Sequence, residues 1–479
     1  MRITLIRPRS GNTPDPPLGL LSLAANLKPH GHDITVLDPD PGDPTVIDQI
    51  AASKPDLIGM SLLTTQVARG LTLQERIRDR LPGVVTVGGG IHPTALPEWT
   101  LRKFGFDFVV LGEGEITFPE VAEALRSGLS PEEVAGLAFL RDGILVRTAR
   151  RPLIDPLDSL PFPDREAVRF ERYLRPPGNI RGKLLWRATS IISSRGCPFG
   201  CIFCSSKELF GSRVRRRSVG HVMAEIELLI RRYRIDGIWF LDDTLLEDRD
   251  WLLELCAGMR QTGLAWGCQA HVRRADEGIF REMRRSGCLQ LEFGVESGSE
   301  RMLRRLRKGS DPDDVRRAFA ICRKVGLRTL ANFMIGIPDE TIEDARASLK
   351  LAREIRPDHV VVTFTTPLPG SVLFDEALAK GWLPADPDFS ERWIIRQTES
   401  PAVTISLDAA SMQAIRREFD NAFFWRNIRG YFLYPAFLFD VLRDMTRRPG
   451  GYVSGIRKAI RTKRLGHIVE TIWEEYNRV

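Results

Sequence analysis

Hydrophobic positions fall into two repeating series along the chain, and both read as strand followed by helix. Over residues 1–128, five short runs rich in Val, Ile and Leu predict buried strands at Arg2–Arg7, Asp33–Leu37, Leu57–Leu63, Val84–Gly88 and Phe108–Leu111. The segments between them repeat with the period of a helix, near 18–29, 44–53, 66–81, 94–104 and 116–127. Near-continuous apolar strands alternating with helices mean a parallel sheet covered on both faces. Five strands and five helices point to a flavodoxin-like doubly wound domain, whose ligands sit beyond the carboxyl ends of the strands. Those ends carry Pro8-Arg9-Ser10-Gly11, Ser61-Leu62-Leu63-Thr64-Thr65, Gly88-Gly89-Gly90-Ile91-His92-Pro93 and Gly112-Glu113-Gly114-Glu115. They are small, polar and Gly-rich, so backbone can approach a large ligand closely.

Residues 129–186 change character. Leu137–Leu140 and Ile144–Thr148 flank Arg141-Asp142-Gly143, which reads as a hairpin. Pro152, Pro156, Pro161, Pro163, Pro176 and Pro177 follow in a linker-like stretch, and the domain boundary is placed there. Residues 187–370 resume the alternation, with strands predicted at 188–194, 237–242, 265–271, 289–296, 329–336 and 359–365. Helices are predicted near 218–233, 247–261, 275–286, 299–307, 311–325 and 340–355. Successive strands lie about 30 residues apart, the length of a βαβ unit. Six such units suggest a partial (βα)6 barrel, with function at the carboxyl ends of its strands. A second doubly wound sheet has the same periodicity. Residues 371–479 read as a helical C-terminal region capping the barrel, dense in aromatics from Phe419 to Leu442 and basic from Arg443 to Arg464.

Composition narrows the class. The 479 residues suffice for about three domains at roughly 100–200 residues each. Hydrophobic residues at 43% and charged residues at 27% match a globular chain and argue against disorder. No segment approaches the length of a transmembrane helix, and the first residues read as a strand and not as a signal peptide. A cytoplasmic location with reduced cysteines is the expectation. The net charge of +7 permits an anionic partner without demanding one.

The sharpest chemistry is Cys197-Pro-Phe-Gly-Cys201-Ile-Phe-Cys204, directly after an apolar strand. Three thiolates at this spacing can wrap one soft metal site. Zinc would want a fourth ligand, and no nearby His or Cys supplies one. A 4Fe–4S cluster held by three Cys would leave one iron open to bind a further group. Cys256, Cys268, Cys288 and Cys322 stand apart from this run. Cys268, beside Gln269 and His271 on the third barrel strand, is a candidate for hydrogen or proton transfer if it faces the lumen; a packed thiol is the alternative. His271 is a candidate contact to substrate or cofactor, or a hydrogen-bonded structural residue.

Cys-x3-Cys-x2-Cys with Phe203 before the last Cys resembles the signature of the radical S-adenosylmethionine superfamily. The resemblance implies that Cys197, Cys201 and Cys204 ligate a 4Fe–4S cluster. Its open iron would chelate the methionine moiety of S-adenosylmethionine, and reductive cleavage would give a 5′-deoxyadenosyl radical. It places Asp242 or Asp243 near the methionine amine, Glu296 and Ser297 near ribose hydroxyls, and Gly336 near adenine. The doubly wound domain ahead of this core resembles the cobalamin-binding members of the superfamily, over about residues 1–370. That resemblance puts a corrin ring against Thr64, Gly88, Gly89, Gly90, His92, Gly112, Glu113 and Gly114. One motif departs: Asp-x-His-x-x-Gly, with which many cobalamin domains coordinate cobalt, is absent, and Asp38 and Asp40 lie near its place without a following His. This speaks against an imidazole ligand from below, and His92 is expected at the corrin periphery.

The implied activity is methylation of an unactivated carbon of a small-molecule substrate through methylcobalamin. A low-potential donor such as flavodoxin or ferredoxin would supply electrons. The layout also resembles the anaerobic magnesium-protoporphyrin monomethyl ester cyclases, so cyclisation or rearrangement with the same cofactors is a second reading. A third is a non-catalytic, metal-containing nucleic-acid-binding protein, motivated by Lys207, Arg213, Arg215, Arg216, Arg217 and the basic tail. The tail also suits contact with an anionic membrane surface and a lipid or isoprenoid substrate.

Overall fold

The computed structural model describes residues 1–9, 15–40, 42–174, 180, 185, 187–389 and 406–431, with isolated positions between 442 and 457. Ser10, Gly11, Pro176, Pro177, the aromatics from Phe432 to Phe439 and nearly all of the basic tail lie outside them. Among the described residues no helix is long and apolar enough to cross a membrane.

The first sheet contains β1 (Arg2–Ile6), β2 (Asp33–Leu37), β3 (Leu57–Ser61), β4 (Val85–Gly89) and β5 (Phe108–Val110), all parallel in the order 2-1-3-4-5. Strand alternation sends successive residues to opposite faces. Ile3, Leu5 and Leu57 pack under the helices Leu18–Leu27 and Gly114–Arg126. Ile6, Ile58 and Met60 pack under the helices Val67–Arg80 and Pro97–Phe104. The strand order reverses direction beside β1, and there the carboxyl ends open a crevice. The hairpin expected in the connecting segment is part of this sheet: β6 (Leu137–Arg141) pairs antiparallel with β5, and β7 (Ile144–Arg147) with β6. Ala138 and Leu137 are buried by that pairing, and this is why the segment is too apolar for a linker.

The second sheet starts at β8 (Ala188–Ile191). A two-residue antiparallel ladder of β9 (Ser194–Arg195) and β10 (Arg215–Arg216) flanks the cysteine loop. The sheet continues with β11 (Gly237–Phe240), β12 (Ala265–Ala270), β13 (Cys288–Glu296), β14 (Arg328–Ile335) and β15 (His359–Phe364). All six long strands are parallel and neighbour one another in chain order. That order separates a barrel from a doubly wound sheet: nothing reverses, so every crossover helix falls on one side and the other side becomes a lumen. β8 and β15 form the two edges, so the barrel is open.

The edge at β15 is covered. The helix Ala409–Tyr431 places Met412, Ile415, Phe419 and Phe423 in the core on the helical side of the sheet. Asn427 accepts from the Val360 N–H at 3.0 Å and donates to its carbonyl at 2.9 Å. The described part of the C-terminal region thus extends the outer helical layer, where a cap over the mouth was expected. An exposed edge strand is a template for aggregation, and a paired side-chain amide blunts it. Asn427→Ala is expected to lower stability by about 1–3 kcal/mol, through two lost hydrogen bonds to a partly buried strand. Urea denaturation of the full chain would show it, with a smaller loss for Asn427→Asp, which keeps the acceptor.

Candidate functional site

The carboxyl ends of the first sheet open onto a cavity of about 1250 Å³, mouth included. One wall is made by Gly88, Gly89, Gly90, Gly112, Glu113 and Gly114. The glycines serve different ends. A Cβ on Gly88 would sit 2.7 Å from the Phe106 ring, so ring packing behind the sheet excludes a side chain there. At Gly112 (φ +77°) and at Gly19 a Cβ would meet no protein atom within 4 Å, and bare backbone faces the cavity. A large, flat ligand needs such a surface. Thr64 and His92 do not line it. His92 Nδ1 lies 3.2 Å from Thr64 Oγ1 in the core, and its ring meets Trp99 and Phe389 edge-on. Burial pushes the imidazole down to about 3, so it is neutral. The expectation of His92 and Thr64 at a ligand periphery is corrected: the turn at Gly90 (φ +98°) aims the following helix inward.

The opposite wall comes from the connecting segment and from residues 192–225 around the β9–β10 ladder, and buried ion pairs run through it. Glu113 accepts from Arg195 Nη1 at 2.7 Å, from Arg215 Nη1 and Nη2 at 2.9 and 3.0 Å, and from the Ile154 N–H at 2.7 Å. Arg195 Nη2 reaches Glu115 at 2.5 Å. Burial alone would lower the Arg195 pKa, but Glu115 and Glu113 together drive it above the ordinary value. Glu113 thus lines the cavity while its carboxylate holds this clamp. A second buried set joins Arg165, at 2.6 Å, and Arg217 to Glu225. With Arg215 and Arg217 buried in these pairs, residues 213–217 do not make the compact basic face that nucleic-acid binding needs.

The cysteine loop springs from β9. Gly196 (φ +95°) turns the chain where a Cβ would lie 2.4 Å from the Arg213 carbonyl, and Cys197 follows. Three contacts hold the loop. Ile202 donates to the Leu306 carbonyl at 3.0 Å and accepts from the Leu373 N–H at 2.8 Å. Phe199 stacks on His271 at 3.7 Å between centroids. Phe203 packs with Ile202, Met302 and Leu306. Burial pushes the Cys197 thiol up to about 11 and raises Cys201 and Cys204 as well. Backbone N–H groups of Phe199 and Ser206, and the Lys308 ammonium, act in the opposite sense. Among the described residues no three His, Cys, Asp or Glu close around a single metal ion. Thiolates that each hold a different iron of a cubane stand further apart than ligands sharing one ion, so the soft three-thiol set suits a cluster and not zinc.

Around the loop, the strand ends sort into holders and open groups. Asp242 is buried and accepts from Ser193 N–H at 3.2 Å, Ser193 Oγ at 2.9 Å and Ser194 Oγ, so it ties β11 to the root of the cysteine loop. These bonds give it a scaffolding role at the loop root. Asp243 is exposed, accepts from Ser206 Oγ, and lies near enough to Cys197 and Cys204 to raise both thiols. Glu296 ends β13 at φ +64°, a strained position, and pairs with Lys308 Nζ at 2.8 Å. Ser297 bonds Ser348 Oγ at 3.1 Å and the Ser299 N–H, which leaves it a turn residue and not a ligand contact. Gly336 (φ +81°) opens toward Met412, whose sulfur would be 2.4 Å from a Cβ; the C-terminal helix fills that direction. The Gly336 N–H donates to Glu340 at 2.6 Å, and burial pushes that carboxyl up to about 7.

Neither proposed hydrogen-transfer residue faces the lumen freely. Cys268 shares the helical-side core with Trp266 and Ala270, because alternate residues of β12 point outward together. His271 donates from Nε2 to the Lys308 carbonyl at 3.1 Å and accepts at Nδ1 from the Arg273 N–H. Both nitrogens are used, and burial holds the ring neutral with a pKa near 3. It stacks on Phe199 of the cysteine loop. The groups that sequence reasoning passed over are Arg195, Lys308 and Glu340, and Arg215 was named only for a basic face. Arg195 two residues before the first Cys, and acids flanking Gly114, were the available signals.

Two family models match: the B12 binding domain over residues 12–122 and the Radical SAM superfamily over residues 191–352. The chain is 34% identical over 396 residues to an uncharacterised methyltransferase of Pyrococcus horikoshii, spanning 80% of this chain and 84% of the relative. It is 29% identical to an anaerobic magnesium-protoporphyrin IX monomethyl ester cyclase of Rubrivivax gelatinosus, over 78% of this chain and 70% of that one. In fold it is similar to the radical S-adenosylmethionine methyltransferase TsrM of Kitasatospora setae, solved with cobalamin and a 4Fe–4S cluster bound. The TM-score there is 0.66 at 20% identity, covering 79% of this chain and 74% of the other.

Asp242 offers a test of the scaffolding role. Burial raises its pKa from 3.8 to about 6 in the folded chain. The folded state therefore holds a proton that the unfolded state releases between those values. The stability linked to that proton is complete below the unfolded pKa and is lost as pH rises through about 6, a difference of about 3 kcal/mol. Asp242→Asn cannot ionise and still accepts from Ser193. It is expected to be more stable than the native chain above that pH and to lack the decline. Chemical denaturation at a series of pH values would show parallel curves if Asp242 were not the group responsible.

Proposed function

The chain belongs to the cobalamin-binding radical S-adenosylmethionine family, and on that premise we propose that it methylates an unactivated carbon of a small-molecule substrate. One juxtaposition carries the reading. Arg195 lines the glycine-walled cavity, and the first of the three clustered cysteines follows two residues later. A corrinoid site and a cluster site therefore share one wall.

Cys197, Cys201 and Cys204 would hold the 4Fe–4S cluster, and the cavity at Gly112 and Gly19 would hold the corrinoid. When bound, these groups supply reductive cleavage of S-adenosylmethionine and a transferable methyl group. The chain's own residues bind, orient and exclude water. Backbone N–H groups at Phe199 and Ser206 offset charge on the sulfurs. Asp243 is assigned the ammonium of S-adenosylmethionine, since it is the exposed acid beside Cys197 and Cys204. Glu296 is assigned the ribose hydroxyls, with Lys308 keeping it oriented. A low-potential electron donor approaches the cysteine loop from outside.

The relative from Rubrivivax gelatinosus supports a second reading, in which the same groups close a ring without methyl transfer. Anaerobic purification with cobalamin supplied is expected to give stoichiometric corrin with iron and sulfide in the ratio of one cluster. Cys201→Ala is expected to lose the iron and all 5′-deoxyadenosine formation. With S-adenosylmethionine labelled in its methyl group, label in the product supports methylation. Deoxyadenosine with an unlabelled, ring-closed product would replace it by cyclisation. A chain that binds no corrin would overturn both.

A further inference from the structure

We propose that Glu113 and Glu115 with Arg195 and Arg215 couple the two cofactor sites, so that each site binds its cofactor more tightly when the other is filled. The inference rests on the reading above and goes beyond it, because a shared wall need not transmit anything.

Four observations carry it. First, the set is buried: the side chains of Glu113, Glu115 and Arg215 are 3, 8 and 2% exposed, and that of Arg195 is 12% exposed. Two cations and two anions cancel, and removing any one would leave a charge unpaired away from water. Second, both acids line the cavity at the start of the helix Gly114–Arg126, Glu113 immediately before it and Glu115 in its first turn, with Gly112 (φ +77°) ahead of them. The position of the Glu113 carboxylate depends on where this helix start sits. Third, Arg195 and Arg215 are opposite residues in the β9–β10 ladder. Fixing both guanidinium groups on one carboxylate fixes the ladder. Fourth, the ladder continues at once into Gly196 and Cys197, with the Arg213 carbonyl closing the turn. A ligand seated against Gly112 that fixes the start of this helix therefore fixes the root of the cysteine loop, and the reverse follows by reciprocity of linked equilibria.

The measurement is the affinity for hydroxocobalamin, read by visible absorbance on the full chain, with the cluster reconstituted and without it. Coupling in the usual range would tighten cobalamin binding by about 5-fold or more when the cluster is present. Arg195→Gln combined with Glu115→Gln keeps neutrality and hydrogen bonding. It is expected to bring the ratio to about one while still binding cobalamin, with folding checked by circular dichroism. Should that pair fail to fold, Arg195→Lys retains the charge without the two-pronged reach and is expected to give an intermediate ratio. Equal affinity with and without cluster in the native chain overturns the coupling and leaves the proposed function standing. So does a native ratio preserved in both variants. Absence of cobalamin binding in the native chain removes the functional reading and the coupling with it.

Discussion

Taking charges out of water costs several kcal/mol per ion even after relaxation, and only well-made pairing offsets it. The seam between the two sheets does this repeatedly, at Glu113 and Glu115 with Arg195 and Arg215, and at Glu225 with Arg165 and Arg217. Such pairs tolerate few alternative arrangements, because a slip of one residue would strand a charge. The cavity exists in its observed shape because these contacts set how far the glycine loops stand from β9. The same contacts set where the cysteine loop begins. The rest of the site is arranged around that fixed distance.

Much of the fold was legible because its elements are local. Each parallel strand is a short apolar run, each helix a period-3.6 pattern, and both series alternate without interruption. The barrel needed one fact that periodicity lacks, the order of strands in space. The hairpin at 137–147 was recognisable as a hairpin, yet its place depends on a free edge at β5, which a linear reading does not display. Parity within a strand was legible in principle. Trp266, Cys268 and Ala270 are the apolar set of β12, and Gln269 alternates with them, so the thiol had to follow the tryptophan into the core.

The chemistry of the site was less legible, and the reason is physical. A motif displays residue types; it does not display where their lone pairs go. Glu113 and Asp242 looked like ligand-binding acids, and both accept from residues 41 to 102 positions away. Ser297 and His271 were spent in the same manner on Ser348 and Lys308. Asp243, one residue from Asp242 in the loop after β11, is exposed and accepts from Ser206 Oγ. Neighbouring acids of identical chemistry thus divide into holder and open group by geometry alone.

The two walls of the chamber differ in kind. The cysteine loop is tied by backbone bonds on both sides of Ile202, by the Phe199–His271 stack and by Asp242 at its root. Those restraints come from residues just beyond β11 and β12 and from the helices Glu300–Arg305 and Val372–Ala379. The facing turn at Gly112 and Glu113 is held by the Leu111 N–H on the Gly136 carbonyl at 2.8 Å, by the Gly112 N–H on Thr94 Oγ1 at 3.1 Å and by the Glu113 carboxylate on Arg195 and Arg215. The position of the three clustered cysteines is thus set by the barrel, and the distance from their loop to the glycine wall by four buried charges.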